Sequence, residues 1–182
     1  KPVDAGLEPA AQLYLLEINR AFESWVVLGR TGGVFDEIPF EQLGLDPAKE
    51  YLVFEFWDKR LLGGFAKAFV PGAINPRFNA QAFVVRERLA HPQVVATSRH
   101  ITGGGVDLLD VQWRDATLSG RSMLVAHDPY EIYITEPTGF TLEKASCDGA
   151  APAAPTRDGG LVKLTCLVEK SREISWSVTF RR

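Results

Sequence analysis

Almost every apolar run in this chain alternates with polar residues at a period of two, and that pattern builds strands and little else. The clearest stretch is EISWSVTF. Ile174, Trp176, Val178 and Phe180 fall on one face there, and Glu173, Ser175, Ser177 and Thr179 on the other. YEIYIT repeats the pattern with Tyr130, Ile132 and Ile134. QLYLLEI, FESWVVLG, EYLVFEFW, QAFVVRE and PQVVATS are rich in β-branched, aromatic and aliphatic residues and are bounded by Gly, Pro, Asn or Asp. Such runs recur at intervals of roughly 8–12 residues, the spacing of an antiparallel sandwich or barrel. One helical turn is expected, at PFEQLGLD, with Gly44 as its stop. The expected fold is all-β, an antiparallel β-sandwich.

A seam falls near RERLAHPQ. Residues 12–88 hold about six strand candidates and residues 92–182 about seven, enough for one small sandwich on each side. The linker is short and apolar, so two closely packed units are expected, 1–89 and 90–182, the second immunoglobulin-like. CDGAAPAAPTRDGG, residues 147–160, has the Ala, Pro and Gly content of an exposed, mobile loop.

Charge and hydropathy remove whole classes of function. The 182 residues carry a formal charge of −3, so no basic stripe is available to neutralise a phosphate backbone. No apolar run approaches the roughly 20 residues of a membrane helix. Neither nucleic acid nor a membrane is an expected partner. The compartment is left open, since two cysteines, Cys147 and Cys166, make no disulfide framework. Cys166 shares a face with Val162, Leu164 and Val168 and reads as a buried thiol. A hairpin pairing 141–147 with 161–168 would set Cys147 opposite residue 161, about 17 Å from Cys166 at strand rise, too far to bridge.

TSRHITGGGVDLLDVQW invites comparison with a phosphate-cradling loop. A loop of that kind needs Lys and Ser/Thr straight after the glycines, then a helix whose amides face the anion. Gly103, Gly104 and Gly105 are followed instead by a strand-like run from Val106. A turn needing positive φ explains them. His91, His100 and His127 match no metal-ligand spacing and sit beside turn residues. No metal site and no cofactor are expected. Paired carboxylates could cleave a glycosidic bond, but Asp107 and Asp110 are three apart on a presumed strand and point to opposite faces, as do Glu55 and Asp58. No nucleophile–base constellation has recognisable local context, so no catalytic residue is assigned.

Aromatic side chains offer another route to function, because flat indole and phenol faces match the C–H surfaces of sugar rings. Trp176 belongs to an apolar strand face and reads as core. In YLVFEFW, Leu52, Phe54 and Phe56 make one face and Val53, Glu55 and Trp57 the other. A strand apolar on both faces needs cover on both. Either its outer face packs on another domain, or Trp57 is open to a ligand. Trp57, Trp113 and Glu55 are the candidates for carbohydrate binding or interdomain packing.

FESWVVLGR, then FEQLGLDPAKEYLVFEFWDKRLLGGF, then HPQVVATSRHITGGGVDLLDVQW, together resemble the C-terminal β-sandwich region of α-galactosidase-like (melibiase-type) glycoside hydrolases. The likeness covers residues 12–113. From TLSGRSMLVAHDPYEIYITEPTGF onward the sequence is similar to the immunoglobulin-like tail sometimes found there, with weaker motifs. In that family a catalytic (β/α)₈ barrel precedes the sandwich and carries the catalytic aspartates. No position of this chain matches their motif.

The resemblance therefore implies a non-catalytic accessory region whose partner is the barrel of the same polypeptide. A first residue of Lys1, with Met123 the sole methionine, agrees with the expectation that the chain is a piece of a longer protein. One alternative is a carbohydrate-binding module that uses exposed aromatics. Another is a free-standing immunoglobulin-like structural or interaction protein.

Overall fold

The computed structural model describes residues 1–4, 11–149, 151–152, 154–158 and 160–182. The chain is all-β, with antiparallel sheets forming β-sandwiches. It divides into two compact units. The first comprises Lys1–Asn19 and Glu23–Arg88, and the second Arg20–Phe22 and Leu89–Arg182.

The first unit contains β1 (Leu13–Asn19), β2 (Ser24–Arg30), β3 (Ile38–Pro39), β4 (Glu50–Glu55), β5 (Arg60–Ala66), β6 (Ala68–Phe69) and β7 (Gln81–Glu87). Five of these form one sheet in the order β1-β2-β7-β4-β5, while β3 and β6 pair as a short ribbon. Register places Leu15 opposite Leu28 and Val53 opposite Val85, so alternation gathers Leu13, Leu15, Val26, Leu28, Val53, Phe83 and Val85 into one buried cluster. Ile38 and Phe69 of the ribbon join that cluster, with Phe40 and Leu43. The Phe40 ring lies 4.8 Å from that of Tyr51 and 5.9 Å from that of Phe69. The expected helical turn is a 3₁₀ turn over Glu41–Leu43. Gly44 ends it at φ 74°, its N–H donating to the Glu41 carbonyl.

The sheet's other face is also buried at Trp25, Val27, Leu52, Phe54, Ala82 and Val84. Among them lies a charge that the apolar run QAFVVRE hides. Arg86 is 0% exposed, its guanidinium 3.6 Å from the centre of the Trp25 ring and paired with Glu23. Burial raises the Glu23 carboxyl above its ordinary range, and the Arg86 charge opposes that rise. A buried cation needs such partners, since unpaired it would cost several kcal/mol.

The second unit contains β8 (Val94–Thr97), β9 (Leu108–Arg114), β10 (Thr117–Leu124), β11 (Tyr130–Thr135), β12 (Thr141–Cys147), β13 (Ala151–Pro152), β14 (Thr156–Asp158), β15 (Leu161–Leu167) and β16 (Arg172–Arg181). One sheet runs β12-β16-β10-β9 and the other β13-β15-β11-β8, with β14 also on β15. The chain crosses between the sheets from β11 to β12, from β12 to β13 and from β15 to β16, while β13, β14 and β15 stay in one sheet. The inward row of β16, Ile174, Trp176, Val178 and Phe180, meets Tyr130, Ile132 and Ile134 of β11 and Val162 and Leu164 of β15 in one core.

Trp176 organises that core. It stands opposite Gly120 in register, and a Cβ at Gly120 would come within 2.5 Å of the indole and 2.4 Å of the Asp110 carbonyl. Only glycine leaves room. The indole N–H donates to Ser122 Oγ at 3.0 Å. The Tyr130 hydroxyl reaches the same Ser122 at 3.1 Å and also donates to the Asp107 carboxylate. These polar groups are buried together, so each needs the others.

Two expectations are corrected here. Cys147 and Cys166 form a disulfide, with Cα atoms 6.2 Å apart. β12 does not pair with β15. It pairs with β16, while β15 pairs with β11, so the cysteines face each other across the sandwich instead of along one sheet. The segment 147–160 is likewise not a plain loop. Ala151–Pro152 and Thr156–Asp158 add short strands to β15. The three glycines turn the chain between β8 and β9. Gly103 and Gly104 adopt φ of 63° and 113°, and a Cβ on Gly104 would lie 2.4 Å from Leu108 Cδ1.

Two substitutions test this packing by denaturant unfolding followed through tryptophan fluorescence. Gly120→Ala is expected to destabilise the second unit by about 1–3 kcal/mol through overpacking. Replacing both cysteines by alanine is expected to cost about 3 kcal/mol, the value for closing a loop of this length.

Candidate functional site

The sequence candidates lead to the end of β4. Glu55 closes that strand at 1% exposure, and its carboxylate accepts the backbone N–H groups of Asp58 at 2.5 Å and Ala82 at 3.1 Å. It thereby ties the turn after β4 to the start of β7. Burial is the main influence on its ionisation and raises the carboxyl above its usual range, while the N–H donors of Asp58, Ala82 and Trp57 pull the other way. This carboxylate holds backbone in place.

The turn it anchors presents Trp57. Asp58 accepts the Asn75 side-chain N–H at 2.7 Å. Asn75 in turn accepts the Arg77 amide at 3.0 Å on its side-chain oxygen, and the Phe78 amide at 3.1 Å on its carbonyl. That chain of bonds sets the Phe78 ring 5.3 Å from the Trp57 ring at an interplanar angle of 21°, a stacked pair. Phe56 meets the indole edge-on at 5.2 Å, and the Arg77 guanidinium sits 5.5 Å from the centre of Phe78. Trp57 keeps 37% of its surface exposed. The result is an aromatic platform held rigid from below, with Asp58, Asn75 and Arg77 at its margin. A ring so fixed loses little entropy when a flat apolar ligand face settles on it.

Trp113 lies elsewhere, in the second unit. Its ring is parallel to that of His91 at 5.0 Å, edge-on to Phe140 at 5.6 Å and 6.1 Å from Phe180. It packs against the core cluster as a half-buried ring. The structure thus brings Trp57 and Glu55 together, while Trp113 belongs to the other unit. Phe78 and Asn75, which complete the platform, went unnoticed in the sequence. NPRFN resembles any turn, and only its hydrogen bond to Asp58 reveals what it supports.

The remaining candidates have local roles. His100 Nδ1 sits 3.2 Å from Thr102 Oγ1 at the start of the glycine turn. His127 has a positive φ of 59° in the turn before β11. Asp107 is engaged by Tyr130. Among the described residues, no three His, Cys, Asp or Glu side chains gather into a group that could hold a metal ion, and no helix is long and apolar enough to cross a membrane. No protein-family model matches the chain, and no curated protein matches it significantly.

Glu55→Gln is expected to cost about 1–3 kcal/mol at neutral pH, because one amide oxygen cannot replace two carboxylate oxygens facing backbone donors. The pH response has a definite sign. With the folded pKa above the unfolded one, Glu55 makes stability fall as pH rises from the unfolded carboxyl value to the folded one. Urea midpoints measured from acid to neutral pH should show the parent chain losing stability relative to Glu55→Gln as pH rises through that interval.

Proposed function

We propose that this chain is a non-catalytic accessory region of an α-galactosidase-like glycoside hydrolase, serving a (β/α)₈ barrel of the same polypeptide. The observation that carries the reading is the use made of the acidic residues in the motif run. Glu55 spends its oxygens on backbone amides, and Asp107 is buried against Tyr130. The segments that resemble the hydrolase family supply framework. YLVFEF is β4 leading into its turn, and the glycines of TSRHITGGG are a bend between strands.

Carbohydrate binding through Trp57 is a second reading. The favouring observation is the exposed indole stacked on Phe78 beside Asp58 and Asn75. The two readings are compatible, since an accessory unit can hold a substrate chain near a cleft.

Purified chain incubated with aryl α-galactosides should release no aryl alcohol above the buffer rate, and sustained turnover would refute the accessory reading. The coding sequence upstream of Lys1 gives a sharper outcome. Several hundred residues of alternating strand and helix pattern are expected there, and an open reading frame beginning just before Lys1 would count against the proposal. For the second reading, titration with millimolar neutral sugars should shift the backbone amide NMR signals of residues 56–59 and 75–79, and Trp57→Ala should abolish those shifts.

A further inference from the structure

The outer face of the β12-β16-β10-β9 sheet carries two polar rows that run across all four strands. Register aligns Gln112 with Ser119, Ser119 with Ser177, and Ser177 with Ser146. One step along, Asp110 stands opposite Arg121 and Arg121 opposite Ser175. The Asp148 amide bonds the Ser175 carbonyl at 2.8 Å and completes that second row. Alternation points all eight side chains away from the core, because their neighbours Leu118, Ser122, Cys147, Trp176 and Val178 face inward.

Side-chain size then shapes the surface. The two central strands carry mainly serine, while the longer Asp110 and Gln112 stand on one flank and Asp148 on the other. The outcome is a shallow trough of about 320 Å³. Arg121, its longest interior side chain, is drawn to Glu173 at 2.8 Å. Four strands at the usual spacing make the trough roughly 14–15 Å across, the length of about three sugar rings.

We propose that this trough binds a neutral, hydroxyl-rich oligosaccharide lying across the strands. The assignment of a glycan rests on the carbohydrate reading above, whereas the choice of this face does not depend on Trp57. The donor and acceptor set fits that chemistry. Serine hydroxyls both donate and accept, the Gln112 amide does the same, and Asp110 and Asp148 accept from vicinal hydroxyl pairs. The single cation is matched by Glu173, and carboxylates stand at both ends of the second row, so an anionic glycan is disfavoured. Trp176 is the one aromatic residue among those lining the trough, and at 2% exposure its ring is packed into the core and offers no stacking face. Binding is therefore carried by hydrogen bonds exchanged with water, which sets a weak, millimolar affinity.

The test is titration of the full chain with neutral gluco-, galacto-, manno- and xylo-oligosaccharides of three to six units, read by backbone amide NMR shifts. At least one series should move the amides of residues 110–112, 119–121, 146–148 and 175–177, with affinity rising up to about three units. Asp110→Ala/Asp148→Ala should weaken that binding at least tenfold, and so should Ser119→Phe, which fills the trough. Trp57→Ala should leave it unchanged. Unchanged thermal melting of each variant shows that folding is not the cause. No shifts at 10 mM in any series, shifts confined to residues 56–59 and 75–79, or loss of binding with Trp57→Ala alone would each overturn the trough. None of those results bears on the accessory reading, which the upstream coding sequence decides separately.

Discussion

The second unit depends on one buried contact, the Trp176 indole lying over Gly120. Removing the side chain at residue 120 lets a large ring cross the inner face of β10, and that ring brings its N–H to Ser122. Ser122 is then shared with Tyr130, which reaches Asp107 at the base of the glycine turn. Strands β9, β10, β11 and β16 are thus fastened through one continuous polar contact inside an apolar core. Dispersion and burial supply most of the energy, while the directional bonds fix a single arrangement of the sheets. The first unit uses a parallel device, since Arg86 against Trp25 and Glu23 places one charge inside a sheet face that is otherwise apolar.

Those two devices show where the amino-acid sequence is legible and where it is not. Alternation alone predicts which residues of β16 and β11 face inward, because the period is local and long. The stop at Gly44 and the bend at Gly103–Gly104 are equally local, each being a backbone conformation that glycine favours. The disulfide is misread for the opposite reason. Cys147 and Cys166 lie on strands that look like hairpin partners, and only the assignment of β12 and β15 to different sheets brings their Cα atoms to 6.2 Å. Arg86 escapes notice because one charge following QAFVV looks like the end of a strand.

The candidate site divides the same way. YLVFEFW singles out Trp57 as either packing on another domain or open to a ligand, and in the structure the ring is 37% exposed. Its support from Phe78 depends on a turn some twenty residues away, and nothing near Trp57 announces it. The serine and aspartate rows of the second unit are hidden further, since each row draws one residue from each of four strands. Only register assembles Gln112, Ser119, Ser177 and Ser146 into a line. Functional surfaces on sheets are written across the chain, whereas cores are written along it.

The bond between Cys147 and Cys166 spans 19 positions of sequence, and the exposed edge segment holding Arg157 falls inside that span. A protease that cut after Arg157 would leave both fragments tethered, with β15 and β16 still joined to everything before the cut. Such a nicked molecule would migrate as one species until a reductant parted it in two. Wear at this edge of the protein would then go unseen by any measurement made without breaking the sulfur link.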